Sequence, residues 1–195
     1  MIVVSDTSPI NYLLLIGQID LLPNLFEQII IPDVVRDEMQ DASAPAVVRQ
    51  WSANPPSWLT IQVVSRLDET LNSLDRGEQA AISLAQTLPA DLLIIDERLG
   101  RRIASDRKIP VIGTLGILDE AACPGLVELS EAISQISAQI FKRSLNYNSG
   151  RVGRSISHMI QILPQYPGYL TPDTVSEPES LDSSSSSHTA LSSYY

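Results

Sequence analysis

A chain of 195 residues with 44% hydrophobic and 18% charged side chains can bury one sizeable core, which excludes a wholly disordered protein. Its formal net charge of −10, from 23 acids against 13 bases, argues against non-specific binding to phosphate backbones. One cysteine excludes an internal disulfide and any cysteine-based zinc site, and two histidines leave little imidazole for a metal, so a divalent ion would have to be held by oxygens.

Residues 1–5 are a short β-branched run ending in Ser5-Asp6, the pattern of a buried strand that stops at a carboxylate. This start has no basic stretch and does not read as a secretory signal; with the single cysteine it suits the reducing cytoplasm. No run reaches the roughly 18 apolar residues of a membrane span. Thr7-Ser8-Pro9 predicts a helix start, with hydroxyl caps and a proline in the first turn. Ile10, Leu13, Leu14 and Ile16 continue it at helical spacing. A second short helix from Asp20 to Phe26 is expected to be broken by Pro23. Gln28 to Ile31 reads as a strand closed by Pro32, which opens a helix with Val34, Val35 and Met39 on one face and Glu38 beside them.

A helix over 46–52, a Pro55-Pro56 turn and a third strand from Leu59 to Val64 follow. Asp75-Arg-Gly-Glu78 opens the clearest helix, rich in Ala and Leu at 3–4 spacing. Asp91 to Asp96 is a fourth strand that again ends in an acid. A helix from Leu99 to Ser105, a fifth strand from Ile109 to Gly113 with a Gly-Thr exit, and helices over 115–122 and 126–141 complete the pattern. Strands alternating with helices predict an α/β fold, a parallel sheet covered on both faces. The expected divisions are a folded domain over 1–141, a weakly structured extension over 142–170, and a disordered Ser/Pro-rich acidic tail over 171–195.

Acids recur where a parallel sheet puts its ligand site, at the carboxyl ends of strands near a switch in strand order. Asp6 and Asp96 both end apolar strands, and Glu78 begins the helix leading to the second of them. Carboxylates gathered within a few ångströms repel one another, and either take up protons or hold a cation; oxygen donors suit Mg²⁺ or Mn²⁺. Each acid also has a structural reading: Asp6 as a helix cap, Asp75-x-x-Glu78 as a capping box, Asp96-Glu97 as a solvated loop, Glu38 on an exposed face. Arg98, Arg101, Arg102, Arg107 and Lys108 against Glu97 and Asp106 make 97–108 locally basic. Arg98, Arg101 and Arg102 offer forks for phosphate, or else a solvated helix face. Thr7 and Ser8 either touch a ligand or cap. Trp51 and Trp58 could stack bases, but core packing is the favoured reading.

Five ordered motifs are then legible: Ser5-Asp6-Thr7-Ser8-Pro9; Pro32-x-x-Val35-x-x-Glu38; Leu74-Asp75-x-Gly77-Glu78-x-x-Ala81-Ile82; Leu93-Ile-Ile-Asp96-x-Arg98-x-Gly100-Arg-Arg-x-Ala104; and Pro110-Val-Ile-Gly113-Thr114-Leu115-Gly116. Together they resemble a PIN-like nuclease domain, and more narrowly the uncharacterised prokaryotic branch of that superfamily grouped with VapC-like toxins. The resemblance covers residues 1–122 and continues loosely through 126–136. It implies a three-layer α/β/α fold with a parallel sheet of four or five strands. It also implies an Mg²⁺- or Mn²⁺-dependent endoribonuclease site. On the matching positions Asp6 and Asp96 would bind metal directly, Glu38 and Glu78 would complete the shell, and Asp75 is the alternative to Glu78 as third acid. A metal-activated water would attack an RNA phosphate in line, leaving a 5′-phosphate and a 3′-hydroxyl. The partners implied are RNA, a small antitoxin protein that blocks the acidic pocket and a second copy of the chain, with no membrane.

From Ser137 onward the chain departs from that pattern. Two further function classes stand beside the nuclease. A catalytically silent PIN-like module for binding protein would have no evident reason to keep a costly acid cluster. A phosphate-accepting receiver would need paired acids on the first strand and a late strand ending in lysine, and this chain has neither.

Overall fold

The computed structural model describes residues 1–145. Strand β1 (Val3–Ser5) leads into α1 (Thr7–Leu15) and α2 (Leu21–Phe26); β2 (Ile29–Pro32) into α3 (Asp33–Gln40) and α4 (Ala46–Ser52); β3 (Leu59–Gln62) through a single 3₁₀ turn (Glu69–Leu71) into α5 (Arg76–Thr87). Then come β4 (Leu92–Ile94), α6 (Arg98–Asp106), β5 (Val111–Ile112), α7 (Thr114–Ala122) and α8 (Leu129–Leu145). The five strands form one sheet in the order β3-β2-β1-β4-β5, and every pairing is parallel. Successive strands step outward from β1 to β3, and the chain then crosses to the other side of β1 to lay down β4 and β5. The switch in direction therefore lies between β1 and β4.

Alternation along the strands divides the core between two faces. Val3, Ile29, Ile31 and Ile94 point to one side, where α1, α2, α3, α4, α7 and α8 supply Ile10, Leu13, Leu22, Met39, Val48, Leu118 and Ile136. Val4, Leu93 and Ile95 point to the other, against Ala81, Ile82, Leu84 and Ala85 of α5 and Ala104 of α6. This is the three-layer α/β/α arrangement with five strands. Trp51 and Trp58 lie against the first core with ring centroids 5.8 Å apart, so they pack rather than project.

Several expectations need correction. Pro23 does not break α2: it is the third residue of the helix, inside the first turn, whose N–H groups have no intrahelical partner in any case. The cap of α1 is not a hydroxyl but the Asp6 carboxylate, whose Oδ2 accepts from the Ser8 N–H at 3.4 Å. Strand β4 ends at Ile94, so Asp96 stands two residues beyond it. Helix α8 starts at Leu129 rather than 126 and runs to Leu145, across the boundary expected at 141. The expectations for the later part of 142–170 and for the tail over 171–195 lie outside the described residues. No helix among the described residues is long and apolar enough to cross a membrane.

Candidate active site

The site grows out of strand register. Val3, Val4 and Ser5 of β1 stand opposite Leu92, Leu93 and Ile94 of β4. The ladder continues one bond further, from the Asp6 N–H to the Ile94 carbonyl at 2.9 Å, which fixes Asp6 at the carboxyl edge of the sheet. On the other side of β4, Leu93 and Ile94 pair with Val111 and Ile112, and the Ile95 N–H bonds the Ile112 carbonyl at 2.9 Å. Extending that register sets Asp96 against Thr114. The Thr114 N–H donates to Asp96 Oδ1 at 2.7 Å and its hydroxyl donates to Oδ2 at 2.6 Å.

The remaining acids arrive on helices. Glu38, near the end of α3, reaches back across the top of the sheet. Its Oε2 accepts the Thr7 hydroxyl at 2.6 Å and its Oε1 accepts the Gly77 N–H at 2.9 Å. Gly77 is required at this approach: a Cβ there would lie 2.5 Å from Glu38 Oε2. The next residue, Glu78, is the third of α5, and its Oε2 accepts from the Asp75 N–H at 3.1 Å, closing a capping box with Asp75. Gly100 of α6 makes room for Ile95, since a Cβ there would be 2.6 Å from Ile95 Cδ1, while Glu78 Cδ would stand in ordinary contact at 4.0 Å.

Asp6, Glu78 and Asp96 are thus only 4%, 7% and 4% exposed, whereas Asp75 is exposed. Burial and mutual repulsion disfavour their charged forms. Burial first, then the charge of Glu38 and, less strongly, of Asp96, pushes Asp6 up to about 7. Burial, then the Asp6 charge, pushes Glu78 up to about 8, with Glu97 and Asp75 adding to it. Glu38 is raised by burial against the opposing pull of its Thr7 and Gly77 donors. The four acids singled out in the sequence therefore act on one another from a single edge of the sheet, at the switch between β1 and β4.

As the side chains lie, no group of three or more acidic, histidine or cysteine residues among the described residues stands in an arrangement ready to hold a metal ion. Glu38, Glu78 and Asp96 each accept from a protein donor. A carboxylate has about four acceptor directions, so these donors leave capacity for a further ligand. The donor set is all oxygen and excessively negative, which is what a hard divalent cation requires.

The arginines separate. Arg98 and Arg102 are exposed, one turn apart on α6. Arg101 is half-buried and folds toward the acids, its Nη1 3.5 Å from the Ile95 carbonyl and 2.4 Å from where a Gly113 Cβ would be. Arg107, counted in the basic stretch, is committed elsewhere: it bonds Asp68, Gln86 and Thr70, each at 2.6 Å, and fastens the 3₁₀ turn to α5. Thr114, Gly113, Arg76 and Glu97 had no site role in the sequence reading. Arg76, the first residue of α5, lies close enough for its charge to favour the Glu38 carboxylate, and Glu97 caps α6 through the Leu99 and Gly100 N–H groups. The signal for Thr114 was its place directly after the strand neighbouring β4; Arg76 and Glu97 sit beside motif acids but had no pattern of their own.

A family model described as a PIN domain matches residues 2–149. The chain belongs to the PIN domain family. The match runs past Ser137, where the resemblance read from the sequence had faded. No curated protein matches the chain. PIN domains are generally nucleases, so membership gives this chain a nuclease-type fold and supports chemistry of the hydrolase kind and binding of nucleic acid.

Proposed function

We propose that this PIN domain is a divalent-metal-dependent endoribonuclease of the toxin type, acting in the cytoplasm and restrained by a small antitoxin protein seated over the acidic edge. What supports the reading is the mutually repelling set of buried Asp6, Glu78 and Asp96 with half-buried Glu38 at the strand-order switch. Such a set is costly to fold unless a cation shares it. Asp6 and Asp96 would hold Mg²⁺ or Mn²⁺ directly, and Glu38 and Glu78 would complete the shell. Such an ion activates water and neutralises phosphate oxygens, so neither histidine nor cysteine is needed.

The chain's own residues prepare that chemistry. Thr7 and the Gly77 amide keep Glu38 facing the strand ends. Arg101 sets a guanidinium at the Asp96 side of the acids, and Arg98 and Arg102 extend the positive charge along α6 for the phosphates of an RNA strand. Ile95, Ala81 and Ile82 belong to the buried apolar core on the α5 face of the sheet.

The test is cleavage of a labelled single-stranded RNA by the full chain with Mg²⁺ or Mn²⁺ and with a chelator. Cleavage should require the ion and vanish in Asp6→Asn and Asp96→Asn without loss of thermal stability. A pure preparation that takes up no Mn²⁺ in calorimetry and leaves varied RNAs intact would replace this reading with a PIN-like module that binds protein and performs no chemistry.

A further inference from the structure

The geometry points to Thr114 as the positioning residue that aims the Asp96 carboxylate into the pocket, an inference that rests on the metal-dependent reading above. Asp96 lies in a loop two residues past the end of β4, where the sheet no longer dictates a side-chain direction. Two donors from one residue supply that direction. The Thr114 N–H takes Oδ1 at 2.7 Å and the Thr114 hydroxyl takes Oδ2 at 2.6 Å, so the carboxylate plane is held at both oxygens and cannot turn about its last bond without breaking one of them.

Thr114 is itself held firmly. It is completely buried as the first residue of α7, directly after β5, which is hydrogen-bonded to β4. Its β-branched side chain has restricted χ1 freedom. The preceding residue completes the seat: a Cβ on Gly113 would lie 2.9 Å from Asp96 Oδ1 and 2.4 Å from Arg101 Nη1, so only glycine lets carboxylate and guanidinium approach the same patch of backbone. A cap for α7 would need one acceptor; the second bond, from hydroxyl to Oδ2, does nothing for the helix. Its effect is on the orientation of Asp96, as expected of a residue that orients a metal ligand from behind.

Calorimetric titration of the full chain with Mn²⁺ tests this, with thermal midpoints measured alongside. Thr114→Val keeps the shape and removes the hydroxyl; Thr114→Ser restores it. Wild type and Thr114→Ser should bind Mn²⁺ alike, and Thr114→Val should bind it about 10- to 100-fold more weakly at a temperature where it is fully folded. A merely structural role would lower the thermal midpoint and leave the affinity of the folded protein alone. Should Thr114→Val not fold, Thr114→Cys carries the same expectation, since its S–H is a weak donor. If the folded variant binds Mn²⁺ as wild type does while Asp96→Asn does not, the positioning role is overturned and the metal reading stands. If wild type takes up no Mn²⁺, both fall.

Discussion

Glu38 ties together three parts of the chain that are far apart in sequence: the exit of β1 through Thr7, helix α3 on which it rides, and the start of α5 through Gly77. Its side chain is flexible at the far end and could swing away from an intruding methyl group, but only by releasing both donors. Gly77→Ala therefore sets two effects against each other. Alanine inside a helix is favoured over glycine by about 0.5–1 kcal/mol. Losing hydrogen bonds to a charged acceptor costs about 1.5–3 kcal/mol each. The loss is larger, so Gly77→Ala should destabilise the domain by about 2–5 kcal/mol, read as a lower denaturation midpoint with an unchanged slope. A variant as stable as wild type would show that Glu38 is not under that constraint. This part of the site was illegible in the sequence. Gly77 stands there only as one position of the Asp75-x-Gly77-Glu78 motif, and nothing in the spacing announces that its amide is aimed at a carboxylate 39 residues earlier.

At the scale of elements, the two acids at the start of α5 have different duties. Asp75 is exposed and closes the capping box from outside, whereas Glu78 turns inward, 7% exposed, and feels the charge of Asp6. Asp75→Ala should cost about 1 kcal/mol of stability, as the loss of an N-cap does, and leave metal-dependent RNA cleavage within a few-fold of wild type. Glu78→Gln should remove cleavage with no such loss of stability. The reverse outcome in paired activity and unfolding measurements would make Asp75 the third acid. The sequence presents Asp75-x-x-Glu78 as one motif; only the burial of Glu78 beside exposed Asp75 separates cap from pocket. Elements were otherwise easy to read where periodicity was strong, as in α5 and β1. They were misjudged where a local rule met its exception: the proline of α2 falls in the one turn that tolerates it, and a carboxylate took the capping place expected for hydroxyls.

For the whole molecule, the raised acids set how stability follows pH. Asp6 and Glu78 sit well above their ordinary values of 3.8 and 4.5 when folded, so the native chain binds more protons than the unfolded one between about pH 4 and 8. Stability must then fall as pH rises through that window. In chelator, the thermal midpoint should decline from pH 5 to pH 8. Asp6→Asn should flatten the decline and be more stable than wild type at pH 8. Added Mn²⁺ should raise the wild-type midpoint more at pH 8 than at pH 6, because protons and cation compete for the same oxygens. A midpoint that climbs between pH 5 and 8 without metal would contradict the arrangement of the acids. A parallel sheet was open to inference from the alternation of strands and helices; its order, and with it the switch between β1 and β4, was not. Nor was the mutual pressure among the acids, because it depends on burial that only the assembled layers create.

The central place of β1 has a further meaning for how such a protein is made. Asp6 is made well before Asp96, yet its strand needs β4 as a neighbour, and Asp96 needs Thr114 beyond β5. A nascent chain carrying only its first half holds one acid of the pair and neither the strand nor the threonine that complete the pocket. On the proposed function, the carboxylate pocket is therefore complete only once the fifth strand has emerged and docked.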